Sequence, residues 1–237
     1  MGSAQGGLAD GSWLRFAQLL DSALPIGAFS HSFGLETLVQ DGVLRTGAEL
    51  ESYIRAMLEG NWATTDALAV KGVYVFGGQA GDWSSVYALD RELHLARAAA
   101  ETRTGMAKIG RRLLQLVREL YPDEDWSPLV EGVSARKCPG AFPTVFGLAA
   151  LRLGVELRTA GEGYLYACTV NAVNCALRLM AIGQTEGQRL IARLLPAVQE
   201  AWALAESLDP FDWYSSTPLA ETAMMKHEKL YSRLFMS

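Results

Sequence analysis

The chain has 237 residues, of which 50% are hydrophobic, and its formal net charge is −5 at pH 7. This length and composition allow a sizeable buried core. The acidic balance argues against a nucleic-acid-binding protein, which needs clustered lysine and arginine to neutralise phosphates. The three cysteines, Cys138, Cys168 and Cys175, form no C-x-x-C metal motif and predict reduced thiols in a cytoplasmic protein.

The N-terminal stretch MGSAQGGLADGS is rich in glycine, serine and alanine, and it predicts a disordered lead-in over residues 1–12. It has neither the basic start nor the apolar run of a signal peptide. No membrane span is expected, because the best candidate, residues 164–182, carries Asn171, Asn174 and Arg178 within a length that barely crosses a bilayer. We expect that segment to form the central core helix instead.

The stretch DSALPIGAFSHSFGLE, which begins at residue 21, mixes turn-forming residues, hydroxyl groups and aromatic side chains. Pro25 fixes one φ angle and Gly27 relaxes another, so the two predict a sharp turn. Ser30 or Ser32 can then cap a following helix that includes Phe33. Much of this stretch is therefore explained as local structure.

The same stretch interleaves Ile26, Phe29 and His31 with hydroxyl groups, which is more than a turn requires. Aromatic anchors beside short polar groups are typical of protein interfaces. We therefore predict a partner-binding surface here, in which His31 forms hydrogen bonds and does not bind a metal.

Apolar residues recur at helical spacing through nearly all of the remaining chain. One such series begins at Leu50 and follows TGAE, a capping box with Thr46 at the N-cap and Glu49 three residues later. A second capping box, TEGQ from Thr185, predicts another helix start. Sustained period-2 alternation is missing. The sequence thus predicts an all-α fold of roughly eight to ten helices, in a single domain over residues 13–223.

The sequence offers few signals for catalysis. It lacks a G-x-S-x-G elbow and a P-loop, and His31, His94 and His227 have no second ligand at helical spacing. We therefore predict that the protein is not an enzyme and has no metal ligand and no cofactor. An all-α enzyme with a carboxylate–metal site is the alternative, although Asp90 and Glu92 would point apart on a helix.

The segment AETRTGMAKIGRRLLQL carries Glu101, Arg103, Arg111 and Arg112 along one predicted helix. These arginines form either a solvated helix face or a surface that docks an acidic or phosphate-bearing partner. A further alternative is the direct activation of a GTPase by an inserted arginine, with Arg103, Arg111 or Arg178 as candidates.

Four blocks, in this order, resemble the UreF family of urease accessory proteins: LLDSALPIGAFSHSFGLE from residue 19, AETRTGMAKIGRRLL from residue 100, YLYACTVNAVNCALRLMAIGQTEGQRLIARLLP from residue 164 and MMKHEKLYSRLFMS from residue 224. The resemblance implies a cytoplasmic, all-helical, non-enzymatic homodimer that binds the accessory protein UreD, called UreH in some organisms. It also implies that the pair recruits the GTPase UreG for GTP-dependent nickel insertion into the urease apoprotein. This chain has Ala141 where many relatives are expected to carry a histidine, so a nickel-handling role for that histidine is not carried over.

The last block, residues 224–237, spaces Leu230, Tyr231, Leu234 and Phe235 as in a helix. Terminal segments are often loose, so we expect this tail to become ordered on UreD/UreH, with docking on its own domain as the alternative. The motifs and the resemblance together predict these partner-binding residues: Pro25, Gly27, Phe29, His31, Ser32, Gly34, Glu36, Arg103, Arg178, Gln184, Thr185, His227, Glu228, Tyr231, Arg233, Leu234 and Phe235.

Overall fold

In the computed structural model, which describes residues 11–237, those residues form eleven α-helices and no strand. The helices are α1 Ser12–Leu19, α2 Leu35–Gln40, α3 Gly47–Met57, α4 Asp66–Gly72, α5 Trp83–Ala96, α6 Ala100–Leu120, α7 Ser127–Ser134, α8 Phe142–Arg152, α9 Leu157–Leu179, α10 Gln184–Ser207 and α11 Pro218–His227. They share one main hydrophobic core. The all-α, single-domain prediction is confirmed, with one helix more than the expected range. Residues 1–10 of the predicted lead-in lie outside the described residues, and Ser12 already belongs to α1.

Helix α9 lies at the centre of this body. It packs against α2, α4, α8 and α10, and its residues Tyr164 and Leu165 are fully buried. Small residues let the neighbouring helices approach closely, and a Cβ added at Gly161 would lie 2.0 Å from the ring of Trp202 on α10. The predicted central core helix is therefore confirmed. Across residues 11–237, no helix combines the length and the apolar character needed to cross a membrane.

Leu177, near the end of α9, is half-buried and packs beside Gly187 of α10. Replacing a fully buried leucine with alanine costs about 2–5 kcal/mol. We expect Leu177→Ala to lower the free energy of unfolding by less than this range, and Leu165→Ala, at a site with 0% exposure, to fall within it. Urea unfolding of the two variants measures the difference, and a larger loss for Leu177→Ala would contradict it.

The two predicted capping boxes have different outcomes. At α3, Thr46 Oγ1 accepts a hydrogen bond from the Glu49 N–H at 3.2 Å, and the Glu49 carboxylate accepts one from the Thr46 N–H at 2.9 Å, as predicted. At α10 the prediction is wrong, because the helix begins at Gln184 with Gly183 as its N-cap. Thr185 therefore lies within the first helical turn, and its side chain does not cap the helix.

The turn predicted before α2 is present and brings the first part of the site into place. Gly27 has a φ of 84°, a left-handed conformation that glycine adopts without strain, and a single 3-10 turn follows over Ala28–Ser30. The next helix begins later than predicted, at Leu35, because Phe33 and Gly34 also have positive φ values, 49° and 90°. This irregular backbone leaves main-chain N–H groups free to bind another segment.

Candidate partner-binding site

The C-terminal segment, residues 228–237, packs onto the start of α2. Helix α11 ends at His227, so the helical spacing predicted for the tail is wrong beyond that residue. The N–H groups of Leu234 and Phe235 donate to the carboxylate of Glu36 instead of to carbonyl groups one turn earlier. The segment is therefore docked on its own domain and is not loose as expected, while its docking on a partner stays a prediction.

Glu36 is the centre of this contact. Its side chain is buried, and its carboxylate accepts hydrogen bonds from the N–H of Leu234 at 2.7 Å, the N–H of Phe235 at 3.1 Å and Nε2 of His227 at 3.0 Å. Burial alone would raise the pKa of Glu36, but these donors outweigh burial and hold the pKa below its ordinary value. Glu36 is thus a charged anchor for the C-terminal segment.

His227 is fully buried between two carboxylates. Its Nε2 faces Glu36 at 3.0 Å, and its Nδ1 faces Glu101 at 2.8 Å. The ring thus bridges the two carboxylates through its two nitrogens. Glu101 also accepts a hydrogen bond from Arg233 at 2.7 Å. Burial would raise the pKa of Glu101, but the hydrogen bonds from His227 and Arg233 lower it overall.

A second set of hydrogen bonds holds Ser237 against the residues before α2. A main-chain oxygen of Ser237 accepts hydrogen bonds from the N–H groups of Ser32 and Phe33 at 2.6 and 3.0 Å, and from Ser32 Oγ at 3.0 Å. His31 Nδ1 lies 2.7 Å from Ser237 Oγ. Burial and the nearby charge of Lys108 lower the pKa of His31, which favours its neutral ring. His31 therefore serves as a hydrogen-bonding residue.

Arg178 of α9 covers the docked segment. Its guanidinium carbon lies 4.4 Å from the centre of the Phe235 ring, which is a cation–π geometry. One of its NH groups also donates to the Phe29 carbonyl at 3.2 Å. Arg178 thereby links three parts of the fold: α9, the turn before α2 and the C-terminal segment.

The docked segment and the turn beside it present apolar side chains to solvent. Phe29 is 58% exposed, Tyr231 106%, Leu234 52% and Met236 56%, and we refer to these four side chains as the outer face. Glu228 is exposed as well. Large apolar side chains exposed together, with polar groups around them, are typical of surfaces that bind other proteins.

Some predicted site residues do not join this cluster. Arg103 donates hydrogen bonds to two carbonyl groups just after α5, and Pro25 is exposed at the turn. Gln184 and Thr185 are exposed at the start of α10. Gly34 does belong to the cluster, because it packs directly against α11, where a Cβ would lie within 3.1 Å of main-chain atoms.

Three residues of the cluster were not assigned to it from the sequence: Glu101, Gln40 and Ser237. Gln40 Nε2 donates to the Ser232 carbonyl at 3.0 Å and so holds the middle of the segment. Glu101 did carry a signal, since it is an acidic residue in the first turn of the helix that contains the block AETRTG. Nothing in the local sequence marks the other two.

Glu36, His227 and Glu101 do not form a metal site. The two carboxylates bind opposite nitrogens of the ring, so their oxygens do not converge. Asp90, a residue considered for the carboxylate–metal alternative, is buried and accepts hydrogen bonds from two N–H groups before α8. In the part of the chain that the structure describes, no three His, Cys, Asp or Glu side chains are arranged to hold a metal ion.

Acidification is expected to loosen the C-terminal segment. The pKa values of Glu36 and Glu101 lie below their ordinary value of 4.5. A carboxylate with a depressed pKa stabilises the folded arrangement fully at pH values above its ordinary pKa. This stabilisation is lost as the pH falls from the ordinary pKa through the lowered one. As the pH is lowered below 4.5, hydrogen exchange at residues 228–237, corrected for its intrinsic pH dependence, should therefore accelerate at a higher pH than exchange in α9. Equal changes in the two regions would contradict this.

Comparison with known proteins finds relatives along nearly the whole chain. The profile of the UreF family matches residues 44–195. A urease accessory protein UreF from Lachnoclostridium phytofermentans is 34% identical over 224 residues, which cover 94% of this chain and 98% of the relative. A UreF from Actinobacillus pleuropneumoniae is 35% identical over 225 residues, which cover 92% of this chain and 96% of the relative. A UreF from Trichodesmium erythraeum is 31% identical over 224 residues, which cover 94% of this chain and 95% of the relative.

Proposed function

This chain belongs to the UreF family of urease accessory proteins, and we propose that it acts as a homodimeric, non-enzymatic scaffold in urease maturation. In this proposal it binds the accessory protein UreD/UreH and recruits the GTPase UreG, and the assembly supports GTP-dependent nickel insertion into the urease apoprotein in the cytoplasm. The observation that carries the proposal is the convergence of the turn before α2, Arg178 and the C-terminal segment on one surface with exposed apolar side chains.

The outer face supports the docking of UreD/UreH. Phe29, Tyr231, Leu234 and Met236 supply aromatic and aliphatic anchors of the kind that dominate binding energy at protein interfaces. Burying such a side chain contributes about 1.5–3 kcal/mol, so several together give substantial affinity even after the cost of ordering. The main-chain bonds to Glu36 hold the segment in a fixed shape, which lowers that ordering cost.

Arg178 supports a contact with the GTPase. Its guanidinium is positioned by the Phe235 ring and the Phe29 carbonyl, while the residue as a whole stays exposed. A fixed arginine at a surface can pair with carboxylates or phosphates without a further loss of side-chain entropy. Arg103 donates to carbonyl groups just after α5 and does not join the cluster around Arg178. In this proposal it would bind a partner through a separate contact.

Co-purification with UreD/UreH and UreG from the same source, with and without GTP, tests the proposal. The chain is expected to bind UreD/UreH, and the pair to retain UreG. A chain lacking residues 230–237 should lose UreD/UreH and stay folded, although its thermal midpoint should fall, because the hydrogen bonds to Glu36 and the buried Phe235 ring are lost as well. Failure of the full chain to bind either protein would contradict the proposal.

Arg178→Ala refines that test. We expect it to weaken retention of UreG and leave binding of UreD/UreH measurable. Arg189→Ala is the matched control, since Arg189 is exposed on α10 and makes only a loose ion pair with Glu186 at 3.7 Å. If Arg178→Ala lowers the thermal midpoint and assembly stays normal, Arg178 has a structural role only.

A further inference from the structure

A cavity of about 310 Å³ is lined by the segment that joins α1 to α2, by α6 and α9, and by residues of α3, α4, α5, α8 and α11. Its lining is mostly apolar and includes Leu24, Ile26, Met106 and Phe142. Sites for small molecules have volumes of about 300–1,000 Å³ and a predominantly apolar lining with a few polar groups. The cavity falls at the lower end of this range.

Thr102 of α6 borders the cavity and is 4% exposed, yet its hydroxyl has no hydrogen-bond partner. Buried hydroxyl groups are nearly always paired, so an unpaired one needs an explanation. A threonine in a helix has two accessible χ1 rotamers, which allows the hydroxyl to turn towards the cavity. A molecule in the cavity with a donor or acceptor would supply the missing partner.

Of the four charged residues that line the cavity, Asp21 is exposed to solvent and Glu221 accepts a hydrogen bond from Ser215, while the other two form an ion pair. Asp66 pairs with Arg97 and also accepts a hydrogen bond from the Tyr164 hydroxyl at 2.7 Å. An ion entering here would have to compete with this buried pair, and losing one partner of such a pair is costly. The polar end of the cavity therefore favours a neutral occupant over a cation or an anion.

We propose that this cavity binds a neutral, mainly apolar small molecule that carries one hydroxyl or similar hydrogen-bonding group directed at Thr102. A dry cavity of about 150 Å³ accommodates benzene, so a volume twice as large suits a bicyclic molecule of about ten heavy atoms. Ser32 and Phe33 line the same cavity and hold Ser237, so an occupant would also contact the support of the C-terminal segment. This ligand site goes beyond the proposed scaffold function and does not depend on it.

Titration calorimetry of the full chain with 2-naphthol and naphthalene tests the proposal, because the two probes differ only in the hydroxyl group. We expect 2-naphthol to bind about tenfold more tightly, which is the upper end of what one net hydrogen bond supplies. Thr102→Val should remove this advantage and leave the affinity for naphthalene unchanged. Thr102→Ser, which keeps the hydroxyl, should restore it.

A blocking variant locates the probe. Ala167 of α9 lines the cavity, and Ala167→Phe should abolish binding of both probes. Ala192→Phe on the exposed side of α10 is the matched control and should bind as the unaltered chain does. If Ala167→Phe does not fold, the nearly isosteric Thr102 variants still decide the matter.

Three results would overturn the proposal. The folded, unaltered chain could show no saturable binding of either probe. The tenfold ratio could persist in Thr102→Val, which would mean that the hydroxyl contacts another group. Finally, Ni²⁺ could displace 2-naphthol competitively, which would identify the cavity as a cation site.

Discussion

Replacing Glu36 with glutamine is expected to free the C-terminal segment from the helical body. The carboxylate accepts hydrogen bonds from Leu234, Phe235 and His227 through both of its oxygens. An amide has only one accepting oxygen, and its NH₂ group would face an N–H donor and could not accept from it. Hydrogen bonds to a charged group contribute about 1.5–3 kcal/mol each. Losing the equivalent of one or two of them corresponds to roughly a hundredfold increase in the population with the segment undocked.

Hydrogen exchange followed by mass spectrometry measures this effect. Residues 228–237 should exchange about a hundredfold faster in Glu36→Gln, in line with the energy above, while α9 keeps its protection. Glu119→Gln is the matched control, because Glu119 is an exposed carboxylate on α6 that accepts only from Gln115. Unchanged protection of the segment would show that Glu36 does not hold it, and a loss of protection in α9 would show global destabilisation instead.

Undocking of the segment links this prediction to the proposed function. If UreD/UreH binds the docked shape, Glu36→Gln should weaken that binding, because the partner must then order the segment itself. If it binds the free segment, the same substitution should strengthen binding, because the competing intramolecular contact is lost. Affinity measurements on the one variant separate these two modes.

The sequence predicted the helical class, the α3 capping box and the central position of α9 because these features depend on neighbouring residues. Periodic apolar residues determine which face of a helix is buried, and Thr46 and Glu49 bind each other within a single turn. The prediction of a capping box at Thr185 was wrong, although it also depended only on neighbouring residues. Gln184 begins α10 one residue before Thr185, so the motif lies inside the helix.

The docking of the C-terminal segment was beyond sequence reasoning for a different reason. Glu36 and Leu234 are 198 residues apart, and no local pattern indicates which carboxylate will accept which N–H. The spacing of Leu230, Tyr231 and Leu234 suits a helix, but a tertiary contact overrode that propensity by supplying other partners for the main chain. The motifs did identify many of the participating residues, because turn formers, aromatic residues and charges are unusual together in so short a stretch.

Gly161→Ala is expected to destabilise the α9–α10 contact strongly. An added Cβ would lie 2.0 Å from the ring of Trp202, which is fully buried. Overpacking of this kind costs about 1–3 kcal/mol and occasionally more, whereas the better helix propensity of alanine returns at most about 1 kcal/mol. The clash therefore dominates, and we expect a net loss of about 2 kcal/mol and a fall in Tm of about 4–8 °C.

A second-site change makes this prediction specific to the Trp202 ring. Trp202 Nε1 is buried without a hydrogen-bond partner, so Trp202→Phe removes ring volume and gives up no hydrogen bond. The double variant Gly161→Ala with Trp202→Phe should be more stable than the sum of the two single changes, because the smaller ring leaves space for the new methyl group. Gly47→Ala, where a Cβ meets no atom closer than 3.9 Å, is the control and should leave stability unchanged or slightly raised. Strictly additive effects in urea unfolding would mean that Gly161→Ala acts through contacts other than Trp202.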